Sequence, residues 1–475
     1  MSAAGVHASP FSGSWYPADA SELRDLLQRL FAESERRTGP YLPSRAAGFV
    51  VPHAGLVYSG AVAAAAYRHL RVREPERVVV LGFSHQGAAP GAWIPDVPAF
   101  RTPLGEVAVD REFAAALGEE GAFGRKDEEA LCDHSVELQL PFLQFSAPAA
   151  KVVPVYVSGL THESRTAAAR KLSSLLGPKT VVVASSDFTH YGRAFSYQPF
   201  PADEFAVERL REIDESAIEA AGTLCADQFL AELRTSGSTV CGTEPISLLL
   251  ETLRLAGRDE EIFQTTLDYR TSGEITDDYA HSVSYAALGY FPYHALDLDP
   301  EDQQRLIASA RATLAHYLET GDRQPIPAQG GSPALERRAA AFVTLMSQGN
   351  LRGCVGRKAS TEPLSTLVPA LTLTAALEDT RFAPVRQGEA DLELEVSVLS
   401  PMKRIANLEE FRVNEHGALL EAGSDHGLLL PQVATERHWT AGQFLDALLR
   451  KAGASRDAYR DPETRVYVFR AQIIR

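Results

Sequence analysis

The 475-residue chain is poor in cysteine: Cys132, Cys225, Cys241 and Cys354 are its four, and they lie far apart. Their spacing contains no CxxC pair of the kind that holds structural zinc and no close triplet of the kind that holds an iron–sulfur cluster. Reduced thiols in a cytoplasm are the expectation. Long apolar runs are also missing. The longest, Ala54 to Tyr67, is broken by Gly and Ser and is too short to span a bilayer, and Met1 to Pro17 has neither the basic start nor the apolar stretch of a secretion signal. No membrane and no secretion are expected. Clustered positive charge is the third absence. The formal net charge is -16 and no group of Lys and Arg stands out as a phosphate-binding face, so no nucleic-acid partner is expected.

What is present is enough apolar residue, 45% of a long chain, to bury more than one core. A strand-like pattern, Ser282 to Phe291, gives way to Pro292, Asp297, Asp299 and Pro300, and a helical pattern restarts at Glu301. Two domains, 1–295 and 300–475, follow from that break. In the first, short β-branched runs (Ala47 to Val51, Arg77 to Gly82, Lys151 to Val157, Thr180 to Ala184) alternate with helical patterns (Ser59 to Leu70, Glu163 to Leu176, Asp203 to Ala221). Phe263 to Arg270 and Ser282 to Tyr290 add hairpin-like strands. Such alternation predicts an α/β layer fold, because parallel strands need helical crossovers and are apolar on both faces.

Ligands of open α/β sheets bind beyond the carboxyl ends of strands. The first strand runs into Pro52-His53-Ala54-Gly55, the second into Phe83-Ser84-His85, and the fourth into Ser185-Ser186-Asp187-Phe188-Thr189-His190. Three histidines and an aspartate are thus delivered toward one edge. Imidazoles suit borderline metals, and an anionic third ligand would leave positions open for substrate or oxygen. Cys241 is the candidate: it stands just ahead of a helix expected over Ile246 to Ala256, whose dipole favours thiolate. A lone histidine after a strand is more often a hydrogen-bonded loop residue, and a lone cysteine a small buried hydrophobe. Convergence at successive strand ends sets the metal reading beside these. His190 is the candidate general acid or base, with Asp187 fixing its tautomer or capping a helical turn. His134 and Glu137 are expected to pair behind the site on one helix face.

The motifs Phe11-Ser12-Gly13-Ser14-Trp15-Tyr16-Pro17, Pro52-His53-Ala54-Gly55-Leu56-Val57-Tyr58-Ser59-Gly60, Asp133-His134-Ser135-Val136-Glu137-Leu138-Gln139-Leu140-Pro141, Ser-Ser-Asp-Phe ending in His190, and Thr239-Val240-Cys241-Gly242 occur in that order. Over residues 8 to 292 they resemble the Memo family. The resemblance implies a fold similar to the catalytic subunit of class III extradiol ring-cleaving dioxygenases, which use nonhaem ferrous iron. It also implies iron or copper on His53, His85 and Cys241, with Asp187 and His190 nearby. In those dioxygenases the third ligand is a carboxylate; a thiolate in its place favours Cu(I) or shifts the potential of iron. The chain departs from the common pattern at Phe83, at Gln86 and at Thr243-Glu244, none of which is a proposed ligand.

Beyond Glu301 a helix to Glu319, a helix-like stretch Ala334 to Thr344 and period-two alternation over Leu392 to Leu399 predict a mixed α+β domain. Arg352-Gly353-Cys354-Val355-Gly356, Asp379-Thr380-Arg381-Phe382, Glu395-Val396-Ser397-Val398-Leu399, His416-Gly417 and Leu428-Leu429-Leu430-Pro431-Gln432-Val433-Ala434 resemble the Ammecr family across 300 to 475. Cys354 is a candidate nucleophile if His416 or His426 folds near it, and Arg352 could lower its pKa or bind an anion. A tight turn packed on the sheet is the competing reading of the same motif. Memo and Ammecr domains on one chain resemble the AmmeMemoRadiSam systems, which implies a radical-SAM partner protein. The leading expectation is a metal-dependent redox enzyme acting on a small molecule or peptide, with iron or copper on His53, His85 and Cys241 and protons handled by His190. A non-catalytic metal- or peptide-binding scaffold and a Cys354-dependent transfer or modification activity stay open as alternatives.

Overall fold

The computed structural model describes residues 5–43, 45–257, 261–461 and 463–475. They form two compact units. One comprises the chain through Thr38 together with Pro43–Ala295, the other Gly39–Leu42 with Leu296–Arg475.

In the first unit, nine strands among the described residues make one sheet. Its hydrogen-bonded order is His190–Gly192, His281–Pro292, Gly48–Val51, Thr180–Ser185, Arg77–Gly82, Lys151–Ser158, Gly91–Pro95 and Gly124–Lys126, with Ile262–Thr271 paired to His281–Pro292. The four strands at its centre, Gly48–Val51 to Lys151–Ser158, run parallel and are buried on both faces, which is why their sequences read as unbroken Val-rich runs. The helices Leu56–Arg73 and His162–Leu175 lie in the crossovers between parallel strands, and Thr243–Ala256 packs on the same sheet. Leu56–Arg73 starts three residues before the expected Ser59, because Gly55 already adopts the extended backbone of a helix cap. Val51 is in register with Ser185, and Leu81 with Ala184. The parallel strands therefore end at one level, and the residues just past them share one edge.

The second unit has two four-stranded sheets. The first runs Asn350–Arg357, Ala341–Ser347, Leu392–Leu399, Ala471–Ile474; the second runs Lys403–Arg404, Arg465–Phe469, Gly417–Ala422, Asp425–Leu429. The helices Pro300–Thr320 and Leu364–Leu377 share a core with the first sheet and Ala441–Ala452 with the second. The expected helix over Ala334 to Thr344 is not there. A single 3-10 turn, Pro333–Glu336, is followed by the strand Ala341–Ser347, whose Ala341, Val343 and Leu345 are wholly buried between two partner strands. The Cys354 motif is likewise a strand rather than a tight turn. Gly353 is required by close approach: a Cβ there would stand 2.2 Å from the carbonyl oxygen of Ala375. Among the described residues no helix is long and apolar enough to cross a membrane.

Candidate metal centre

His53 lies two residues past Val51 and Asp187 two past Ser185, so the register of the two strands sets them side by side. Asp187 Oδ1 accepts the His53 amide at 2.8 Å. The His53 ring is buried, and its Nδ1 is 2.9 Å from Ser185 Oγ. Gln139 holds that arrangement by donating to Ser185 Oγ and to the Pro52 carbonyl, both at 3.0 Å. With Nδ1 engaged, Nε2 is the nitrogen left to bind.

His85 arrives from the next strand, and Asp133 fixes it. One carboxylate oxygen is 2.9 Å from His85 Nδ1 and 3.3 Å from His134 Nδ1. The same oxygen accepts the Ser135 amide at 2.9 Å, capping the short turn His134–Glu137, while the other accepts the His85 amide at 3.0 Å. The two imidazoles stack with centroids 4.0 Å apart, and Trp15 stacks on the outer face of His134 at 4.5 Å. The candidate ligand atoms of His53, His85 and His134 all lie within 4.8 Å of one another.

Sequence reasoning placed His134 behind the site, paired with Glu137. The structure turns Glu137 away, to His7, and brings His134 into the compact cluster. The missed signal was Asp133: an aspartate ahead of a helical turn caps it, and the residue at the first helical position then shares that carboxylate. Cys241 borders the cluster through His53, with Sγ 3.3 Å from Nε2. It sits there because Gly242 packs against the end of the strand, where a Cβ would stand 2.6 Å from the Ser185 carbonyl oxygen, and because its sulfur accepts the Asp187 amide at 3.1 Å.

Burial and the neighbouring His134 and His85 hold the His53 imidazole well below the ordinary range. Burial likewise brings His134 down to about 4 against the pull of Asp133. For Asp133, burial pushes up but the His85 hydrogen bond and the His134 charge outweigh it, leaving about 2. His53 and His134 are thus neutral, the state in which histidine binds a metal, beside an ionised carboxylate. Cys241 differs: burial, then the Asp187 charge, push its thiol far above the usual range, so a helix start does not by itself yield a thiolate here.

His190 opens the short strand His190–Gly192. Its tautomer is set by carbonyl oxygens, Phe188 at 2.9 Å and Thr239 at 3.2 Å from Nδ1, and not by Asp187, whose oxygen serves the His53 amide instead. The proton therefore sits on Nδ1 and Nε2 is an acceptor.

A model described as "Memo-like protein" matches residues 8–289, more than half of the chain. The chain belongs to the Memo family. The MEMO1 family protein MK0963 of Methanopyrus kandleri is 34% identical over 293 residues, covering 58% of this chain and 96% of that protein. The protein memo-1 homolog of Caenorhabditis elegans is 31% identical over 293 residues, covering 59% and 81%. Residues 307–474 match AMMECR1, so an AMMECR1 domain follows the Memo domain. Among solved structures, the uncharacterized protein PH0010 from Pyrococcus horikoshii is 35% identical, covers 35% of this chain and 88% of its own, and has a TM-score of 0.34.

In the AMMECR1 domain, Cys354 lines a cavity of about 1230 Å³ together with Arg381 and Lys451. Asp379 accepts the Cys354 amide at 2.8 Å and Arg381 donates to its carbonyl at 2.9 Å, so the Asp379-Thr380-Arg381 motif pins the backbone of the cysteine. Neither expected base is in the described lining: His416 is buried, with Nδ1 accepting the Arg412 amide, and His426 is exposed on its strand. Arg352 is committed to a bidentate pair with Glu389 at 2.7 and 3.1 Å, which leaves Arg381 as the guanidinium at the thiol's peptide.

Proposed function

We propose that the Memo domain is a metal-dependent redox enzyme that binds iron or copper. The observation that carries the reading is the triad of imidazoles whose ligand nitrogens lie within 4.8 Å of one another, each ring oriented at Nδ1 by Ser185 or Asp133. This donor set fits a borderline first-row metal with positions left for a substrate. Cys241, beside His53, is a further ligand that favours the softer Cu(I). When bound, the metal supplies one-electron chemistry and polarises a coordinated group.

The chain's own residues do the rest. Asp133 and Ser185 aim the imidazoles, Asp187 and Gln139 hold the His53 loop, and His190 Nε2 accepts a proton from a bound substrate. Trp15, Tyr58 and Val57 line a groove of about 540 Å³, of a size for a small molecule or a peptide side chain. The Memo resemblance supports a fold like that of the extradiol ring-cleaving dioxygenases, and the AMMECR1 domain supports a radical-SAM protein as partner.

Protein purified without oxygen should contain about one iron or copper per chain, as a single triad requires. A chain that takes up neither, or whose content is unchanged by His53→Ala, refutes the reading. The groove also favours a second one, a peptide-binding scaffold that holds the metal without turnover; oxygen uptake or peroxide formation with a reductant rules it out.

A further inference from the structure

A second cluster of donor side chains sits in the Memo domain. His7, Cys132 and Glu137 offer ligand atoms that also lie within 4.8 Å of one another. His7 is held by the short strand His7–Ala8, which pairs with Ala99–Thr102. Its Nε2 is 3.0 Å from Glu137 Oε1 and its Nδ1 3.6 Å from Glu128 Oε2. Glu137 is wholly buried, yet its Oε2 has no hydrogen-bond partner. The buried Glu128 Oε2 has none either. A protonated His7 satisfies one oxygen of Glu137 and leaves the other stranded, a costly state for a carboxylate out of water.

One imidazole, one thiol and one carboxylate make a set of nitrogen, sulfur and oxygen donors of the kind that holds zinc, with the fourth position of a tetrahedron left to solvent. We propose that His7, Cys132 and Glu137 form a structural site for a divalent cation of the zinc class, with Glu128 at His7 Nδ1 as the partner that orients the ring. Binding would release the Cys132 thiol proton, and any proton on the ligating nitrogen of His7, to solvent, and would give the stranded Glu137 oxygen a partner. Cys132 directly precedes Asp133, and Glu137 ends the turn that begins at His134. A cation here would therefore brace the segment that aims His85 and His134, and it would do so whether or not the redox centre is loaded.

The test uses the full chain, without a histidine tag, carrying His53→Ala and Cys241→Ser so that the first centre and its thiol are gone. Cobalt(II) is the probe. One equivalent should bind, with the strong visible bands of tetrahedral cobalt and a thiolate charge-transfer band in the near ultraviolet. Adding Cys132→Ser should abolish that band. Adding His7→Ala instead should weaken binding by more than the roughly 10–100-fold that loss of an outer hydrogen-bond partner costs. If Cys132→Ser does not fold, by circular dichroism, the His7→Ala titration decides alone. No cobalt uptake in the starting variant would overturn the proposal and leave His7 and Glu137 as an ion pair only; an unchanged spectrum after Cys132→Ser or unchanged affinity after His7→Ala would overturn it equally. Iron or copper content of a His7→Ala chain with the first centre intact reads the redox proposal separately.

Discussion

Asp133→Asn isolates the group that orients two of the three imidazoles without removing a ligand. One oxygen of Asp133 faces both His85 Nδ1 and His134 Nδ1 and the Ser135 amide, and the other takes the His85 amide. All four partners are donors or orient as donors, and asparagine has a single acceptor oxygen. Whichever way the amide turns, its NH2 meets an N–H group. The negative charge that raises the basicity of both rings is lost as well. Loss of such a partner typically costs ~10–100-fold in metal affinity, or ~1.4–2.8 kcal/mol. Because two imidazoles share this carboxylate, the upper end is expected. The assay is anaerobic competition for Fe(II) or Cu(I) against a chromogenic chelator, with circular dichroism confirming the fold. A folded Asp133→Asn chain that binds either metal as tightly as the parent would refute the reasoning, because His85 and His134 would then not be held for a metal through this carboxylate.

His134→Ala should weaken metal binding as much as His85→Ala, by at least about tenfold in the same competition assay, whereas Cys241→Ser should keep the metal but lower the preference for copper over iron. His69, buried against Phe49 and Phe291, is brought down by burial to about 4, below its ordinary 6.5. Its contribution to stability is therefore present above pH 6.5 and lost as pH falls from there toward 4, by about 2 kcal/mol between pH 7 and 5; urea titrations at the two pH values should show that slope reduced in His69→Leu. Gly353→Ala, forced against the Ala375 carbonyl, should cost the AMMECR1 domain about 1–3 kcal/mol in chemical denaturation, without any backbone strain to add.

The parallel strands were legible because burial on both faces leaves unbroken β-branched runs, and their carboxyl ends announce where a site forms. Arg77–Gly82 and Leu392–Leu399 have the bounds expected from sequence, and His53, Asp187 and His190 stand where strand ends deliver them. His134 was not legible that way, since it follows no strand. Its position comes from a capping aspartate and from Ser135, whose hydroxyl exchanges hydrogen bonds with the Phe83 backbone 52 residues away. Ala341–Ser347 was misread because Ala339-Ala340-Ala341 suits a helix, while pairing to strands on both sides decided otherwise. Arg352 is paired with Glu389 and Arg381 lies at the Cys354 peptide, a distribution that only the fold decides.

Whether Cys241 joins the imidazoles can be decided by protons. Burial keeps the His53 and His134 rings neutral before a metal arrives, so binding to these two releases nothing from them. Cys241 is different, because burial beside Asp187 keeps its thiol protonated in the metal-free chain. A cation at 2–3 Å would reverse that balance, since a ligating thiol is deprotonated outright. Titrating the metal at neutral pH in buffers of different ionisation enthalpy therefore separates the two ligand sets. Release of about one proton per metal, abolished by Cys241→Ser, places sulfur on the metal and makes copper the better occupant; release unaffected by Cys241→Ser confines the metal to His53, His85 and His134 and leaves the thiol as a neutral wall of the site.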